Sequence, residues 1–73
     1  MRVDKYLWAI RVFKTRSMAS QHCREGKVVV DEKAVKPARE MKVGEVVEVR
    51  KGAVRFRYEV LSFPRNRVGA ALV

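Results

Sequence analysis

The sequence predicts an α+β fold, two short helices followed by a small β-structure, and three observations carry that expectation. Apolar residues recur at helical spacing up to Phe13 and again from Met18 to Cys23. A polar turn, Lys14-Thr15-Arg16-Ser17, separates the two stripes. From Val28 onward, β-branched and alternating stretches broken by turn residues take over.

The first helix is expected from Val3 to Phe13. Val3, Tyr6, Leu7, Ile10 and Phe13 fall on one broad arc, and Asp4 near the start suits the positive end of the helix dipole. The opposite side holds Lys5, Trp8, Arg11 and Val12. Two readings of Trp8 stand: it packs under the sheet, or it offers a flat aromatic surface to a base or to ribosomal protein. The second helix starts at the turn, with Thr15 as N-cap or Ser17 sharing that role. An N-terminus so capped presents free N–H groups to a phosphate, with Lys14 and Arg16 beside them. Met18, Ala19, His22 and Cys23 form its apolar stripe, His22 as a packed residue and Cys23 as a small buried hydrophobe. Gly26 fits a left-handed C-cap.

Val28-Val29-Val30 reads as a strand, and Asp31-Glu32-Lys33 as a tight turn into Ala34-Val35. Lys36-Pro37 begins a loop. A turn at Val43-Gly44-Glu45 leads into a strand over Val46–Arg50, and Lys51-Gly52 is a further turn. Arg55 to Val60 alternates strictly, so Phe56, Tyr58 and Val60 should face inward and the charges outward. Residues 1–62 are expected to form one domain and residues 63–73 a basic C-terminal tail. In that tail Arg65 and Arg67 extend a basic surface or are solvated, and Ala70–Val73 reads as a docking strand or a truncation.

Seventy-three residues allow one domain with a modest core, and a hydrophobic fraction of 48% is enough for a compact globule. The net charge of +9 favours polyanionic partners. Its distribution is more telling. Residues 1–27 carry seven Lys/Arg against two acids, residues 28–50 five of each, and residues 51–73 five against Glu59 alone. The excess therefore sits at both ends of a neutral middle. Cys23 is the chain's only cysteine, which excludes an intramolecular disulfide and points to a reducing compartment. Charges at Asp4, Lys5, Arg11 and Lys14 interrupt any signal-like apolar run, and no stretch reaches membrane-spanning length. The expectation is a cytoplasmic protein, monomeric and without a membrane partner.

Signatures of catalysis are missing. One His and one Cys cannot make a dedicated zinc site, no Gly-rich loop precedes a Lys-Ser/Thr pair, and Ser17 and Ser20 lack a base. We therefore expect no enzyme, no cofactor and no metal. What is present suits recognition of a nucleic-acid backbone. Arg2, Lys5, Arg11, Lys14, Arg16, Arg24 and Lys27 lie on or beside the helix pair, away from its apolar arcs. Such cations can neutralise phosphates and release condensed counterions, and arginines can also grip phosphate oxygens bidentately. The bland reading makes them solvated helix faces. Seven bases against two acids speak against it, because i,i+4 pairing would want equal numbers. A helix-turn-helix DNA reader using Ser17, Ser20 and Gln21 would be basic too, and a detached appendage of an RNA-modifying enzyme or synthetase is a third reading.

The segments Arg2-Val3-Asp4-Lys5-Tyr6-Leu7-Trp8-Ala9, Lys14-Thr15-Arg16-Ser17-Met18-Ala19, Gly26-Lys27-Val28 and Lys36-Pro37 together resemble the S4-type RNA-binding domain of ribosomal protein four. The opening and the Phe13-Lys14-Thr15-Arg16 turn are similar to the heat-shock protein fifteen branch, and the resemblance covers about residues 2–62. It implies the αL motif, a helix pair packed on a small, mostly antiparallel sheet, with structured RNA (ribosomal RNA, tRNA) as ligand. For the branch it implies a free large ribosomal subunit still carrying peptidyl-tRNA, which the protein helps to rescue or recycle. By motif match, Arg2, Lys5, Arg11, Lys14, Thr15, Arg16, Ser17 and Lys27 would form the RNA face, with Lys36 at its edge. Two departures stand out. Family turns after the first strand usually read Asn-Gly, and Asp31-Glu32 should change the turn type. Family members also commonly carry a longer, often charged C-terminal extension.

Overall fold

A computed structural model describes residues 1–63 of the chain; the expectations for Arg65, Arg67 and Ala70–Val73 lie outside the described residues. Two helices, α1 (Val3–Ala9) and α2 (Arg16–Arg24), precede four strands, β1 (Val28–Val30), β2 (Lys33–Ala34), β3 (Val46–Lys51) and β4 (Val54–Glu59). The strands form one antiparallel sheet in the order β2-β1-β3-β4. The α+β expectation therefore holds.

Pleating alternates side chains between two faces, and the register shows which one is filled. Val28 pairs with Val49 and Val30 with Val47, and all four are buried under the helix pair. Val3, Leu7 and Val60 are likewise sealed, with Tyr6, Phe13, Ala19, Cys23 and Met41 completing the cluster. Phe63, assigned to the tail by sequence, sets its ring edge against Tyr6 at 6.1 Å and 89°.

The first helix is shorter than its apolar periodicity suggests. It ends at Ala9, and Arg11 turns left-handed with φ of 65°. The N–H of Arg11 donates to Trp8 O at 3.0 Å and that of Val12 to Leu7 O at 2.9 Å, the bonding pattern of a Schellman motif. Val12 packs on the core, so Ile10 and Phe13 reach the apolar side from a loop instead of from a helix. Helix α2 ends in the same way. Gly26 has φ of 76°, its N–H donates to Cys23 O, and Lys27 N–H donates to His22 O. One helix thus stops on the expected glycine and the other on an arginine.

Three expectations need correction. Met18, placed in the apolar stripe, is 49% exposed, because α2 turns a narrower side inward. On β4 the alternation is real but its inner face is incompletely covered: Val60 is sealed and Tyr58 half-buried, while Phe56 is 40% exposed. β4 is an edge strand, beyond the reach of the short helices. The turn after β1 keeps the geometry that Asn-Gly would favour. Val30 pairs with Lys33, and both residues between them have positive φ, 52° at Asp31 and 65° at Glu32, as a type I′ hairpin requires.

Candidate nucleic-acid interface

Asp4 lies in the first turn of α1 and is 3% exposed. A buried carboxylate is costly unless paired, and this one is paired several times. Arg2 reaches it with two nitrogens, Nε to Oδ1 at 3.2 Å and Nη2 to Oδ2 at 3.0 Å. The Lys5 N–H donates to Oδ1 at 2.7 Å, and Arg16 Nη2 stands 3.6 Å away. One carboxylate thereby ties an arginine before α1 to an arginine at the start of α2. Both guanidinium side chains remain nearly half exposed, at 46% and 45%. They are aimed, not hidden.

The turn between the helices is built as expected. Thr15 Oγ1 accepts from Met18 N–H at 3.1 Å, which caps α2. Lys14, Thr15, Arg16 and Ser17 are all exposed, and among the described residues the Arg16 and Ser17 N–H groups have no backbone partner. The start of α1 is different. Its Val3 and Asp4 N–H groups donate to Arg39 O at 2.8 Å and Pro37 O at 3.4 Å. That loop satisfies the helix end and carries the exposed Lys36 alongside it.

The remaining cations divide. Arg24 donates to Ser20 Oγ at 2.7 Å and shares a shallow concavity with Asp4, Arg16, Ser17 and Ser20. Lys5 and Arg11 are exposed on α1 and the loop that follows it. Lys27 stands beyond the far end of α2 and pairs with Glu25 at 3.1 Å. The structure therefore gathers Arg2, Arg16, Ser17 and Arg24 around Asp4, and leaves Lys27 apart with its charge met.

Sequence reasoning missed the pairing by Asp4, giving the residue only a dipole role. No local pattern signals it, since Arg2 and Asp4 are not at helical spacing and Arg16 is on another helix. Ser20, given only to the DNA-reading alternative by sequence, braces Arg24 on this surface. Two residues read as structural are so. Cys23 is buried, and burial foremost, with the charge of Asp4, pushes its thiol up to about 11, which leaves no thiolate at neutral pH. His22 packs on Phe13 at 4.9 Å and donates from Nε2 to Arg50 O at 2.7 Å. Trp8 is half-buried and stands outside the core cluster of described residues. Among those residues no group of three or more His, Cys, Asp or Glu could hold a metal, and no helix is long and apolar enough to cross a membrane.

The family model of the S4 domain matches residues 1–47, which contain both helices, the Asp4 cluster and the first hairpin. The chain belongs to the S4-domain family. Within it the chain is 33% identical over 70 residues to the heat shock protein 15 homolog of Haemophilus influenzae, an alignment covering 96% of this chain and 53% of that protein. It is 31% identical over 64 residues to the RQC P-site tRNA stabilizing factor of Helicobacter pylori, covering 88% and 76%. The trimeric structure of Vibrio cholerae heat shock protein 15 superposes with a TM-score of 0.89 at 32% identity, over 97% of this chain and 72% of that one. The chain spans about half the length of the first heat shock protein 15 relatives. A trimeric relative gives the monomer expectation no support.

Proposed function

We propose that residues 1–62 form a non-catalytic RNA-binding unit that works on the ribosome in the cytoplasm. It holds ribosomal RNA or tRNA on the large subunit, in the rescue or recycling of stalled subunits that carry peptidyl-tRNA. The observation that carries this reading is the Asp4 cluster, where one buried carboxylate presents Arg2 and Arg16 side by side at the helix junction. Two guanidinium groups held by one carboxylate, with the capped start of α2 beginning at Arg16, suit bidentate contacts to phosphate oxygens better than scattered lysines would. The printed name of the Helicobacter pylori relative, which speaks of P-site tRNA, supports the finer part of the reading. The RNA face comprises Arg2, Lys5, Arg11, Lys14, Thr15, Arg16, Ser17 and Arg24, with Lys36 at its edge and Lys27 the weakest member because Glu25 meets its charge.

The test is co-sedimentation with ribosomes from a gently lysed bacterial extract, at low and moderate salt. The protein should travel with large subunits, more so when they carry peptidyl-tRNA. A Lys14→Gln/Arg16→Gln double variant that melts like the parent should leave that fraction. Smearing over all RNA that vanishes with salt would reduce the protein to a generic polyanion binder. Tighter binding to duplex DNA than to ribosomal RNA would overturn the reading.

A further inference from the structure

The turn of the β3–β4 hairpin is fastened to the basic loop between the helices. Lys51, the last residue of β3, donates from Nζ to Val12 O at 2.7 Å and lies 4.6 Å from the centroid of the Phe13 ring. Next to it, His22 bonds Arg50 O and packs on the same Phe13. These contacts fix the beginning of β4 relative to Arg11 and Lys14. The register then sets Val54 opposite Lys51 and Phe56 opposite Val49, all on the face that elsewhere carries the core. Here that face is only partly covered: Val54 is 52% and Phe56 40% exposed.

Among the described residues nothing completes the cover of this aromatic, and charge narrows what could. A second copy pairing antiparallel through the open edge of β4, centred on Phe56, would set Arg55 against Arg57. Like charges directly opposite are unfavourable, and each copy carries +9. Among the described residues no carboxylate pairs with Lys51, which spends one of its three donors on Val12 O. A partner that is flat and apolar on one side and anionic on the other meets both features. We propose that Phe56 is a stacking platform for an unpaired base of the bound RNA, with Lys51 meeting the adjoining phosphate. This rests on the RNA-binding reading and adds a single-strand requirement to it.

The probes are a blunt RNA hairpin and the same hairpin with a short single-stranded adenosine tail. The parent should prefer the tailed RNA by about tenfold, equivalent to ~1.4 kcal/mol and within the worth of one base–aromatic stack. Phe56→Ala should lose the preference while holding the blunt hairpin as before, and Phe56→Trp should retain it. Retention of the preference by Phe56→Ala would sink the proposal and leave the RNA reading intact. Equal loss on both RNAs, or a fall in assembly mass without change in preference, would make Phe56 a fold or copy-contact residue and overturn the proposal. A parent that binds neither RNA would overturn the stacking proposal, and co-sedimentation with large subunits would decide the RNA reading separately.

Discussion

Asp4 and Arg16 face each other at 3.6 Å, although one belongs to α1 and the other to α2. Arg2 closes on the same carboxylate from the chain end. The interface is thus organised from inside. A single buried negative charge ties down two half-exposed positive charges, and the proposed RNA face is built around that pair.

Replacing Asp4 by Asn keeps the shape of the side chain and removes the charge. Two guanidinium groups lose an ionic partner, and we expect a loss of about 1–3 kcal/mol in urea unfolding, below the cost of breaking a fully buried pair because both arginines are half exposed. RNA affinity should fall by more than the fraction unfolded explains. An Asp4→Asn protein with unchanged stability and binding would show that the arginines orient themselves.

Arg11 sits in the left-handed region, where a side chain costs roughly 1–2 kcal/mol, offset in part by the freer unfolded chain that glycine brings. Arg11→Gly should therefore melt higher by a margin of about 1 kcal/mol or less, and bind RNA more weakly. Higher stability with undiminished binding would remove Arg11 from the RNA face. A lower melting temperature would mean that other contacts of its side chain outweigh the backbone strain.

Acid should loosen the ion pairs made by Glu40, Glu45 and Glu48. Arg39 donates to Glu45 at 2.9 and 2.6 Å, and this guanidinium foremost holds the Glu45 carboxyl below its ordinary value. Glu40 is lowered by the N-terminal ammonium and Glu48 by Arg50 first and then Arg57. A depressed folded pKa contributes stability that is complete above the unfolded carboxylate value of about 4.3, and that contribution is lost as pH falls through the folded value. Melting temperature should hold down to roughly pH 5 and drop below ~4. Glu45→Gln should be less stable near neutrality and show a shallower acid slope; a slope equal to the parent's would assign the acid response elsewhere.

Much of this fold is legible in the sequence. Periodicity placed two helices, Thr15 and Gly26 marked the ends of the second, and β-branched runs placed the strands, because these signals depend on neighbours in sequence. The segregated charge and the spaced motifs pointed to the helix pair as the binding face. Where sequence misled, a distant packing partner or a backbone turn had overruled a local preference. Apolar spacing continued through Phe13, yet the helix ended at Ala9 and the left-handed turn at Arg11 brought Val12 and Phe13 onto the core. Asp31-Glu32 looked like a different turn from Asn-Gly, yet the pairing of Val30 with Lys33 forced the same positive φ values.

Residue type and spacing suffice for the elements, their order and the sign and region of the charge. The burial of Asp4 between Arg2 and Arg16, and the partial exposure of Phe56 at a sheet edge, come from packing instead. Both depend on which surfaces the two short helices reach when they pack, and residues far apart in the chain share no local signal of being brought together.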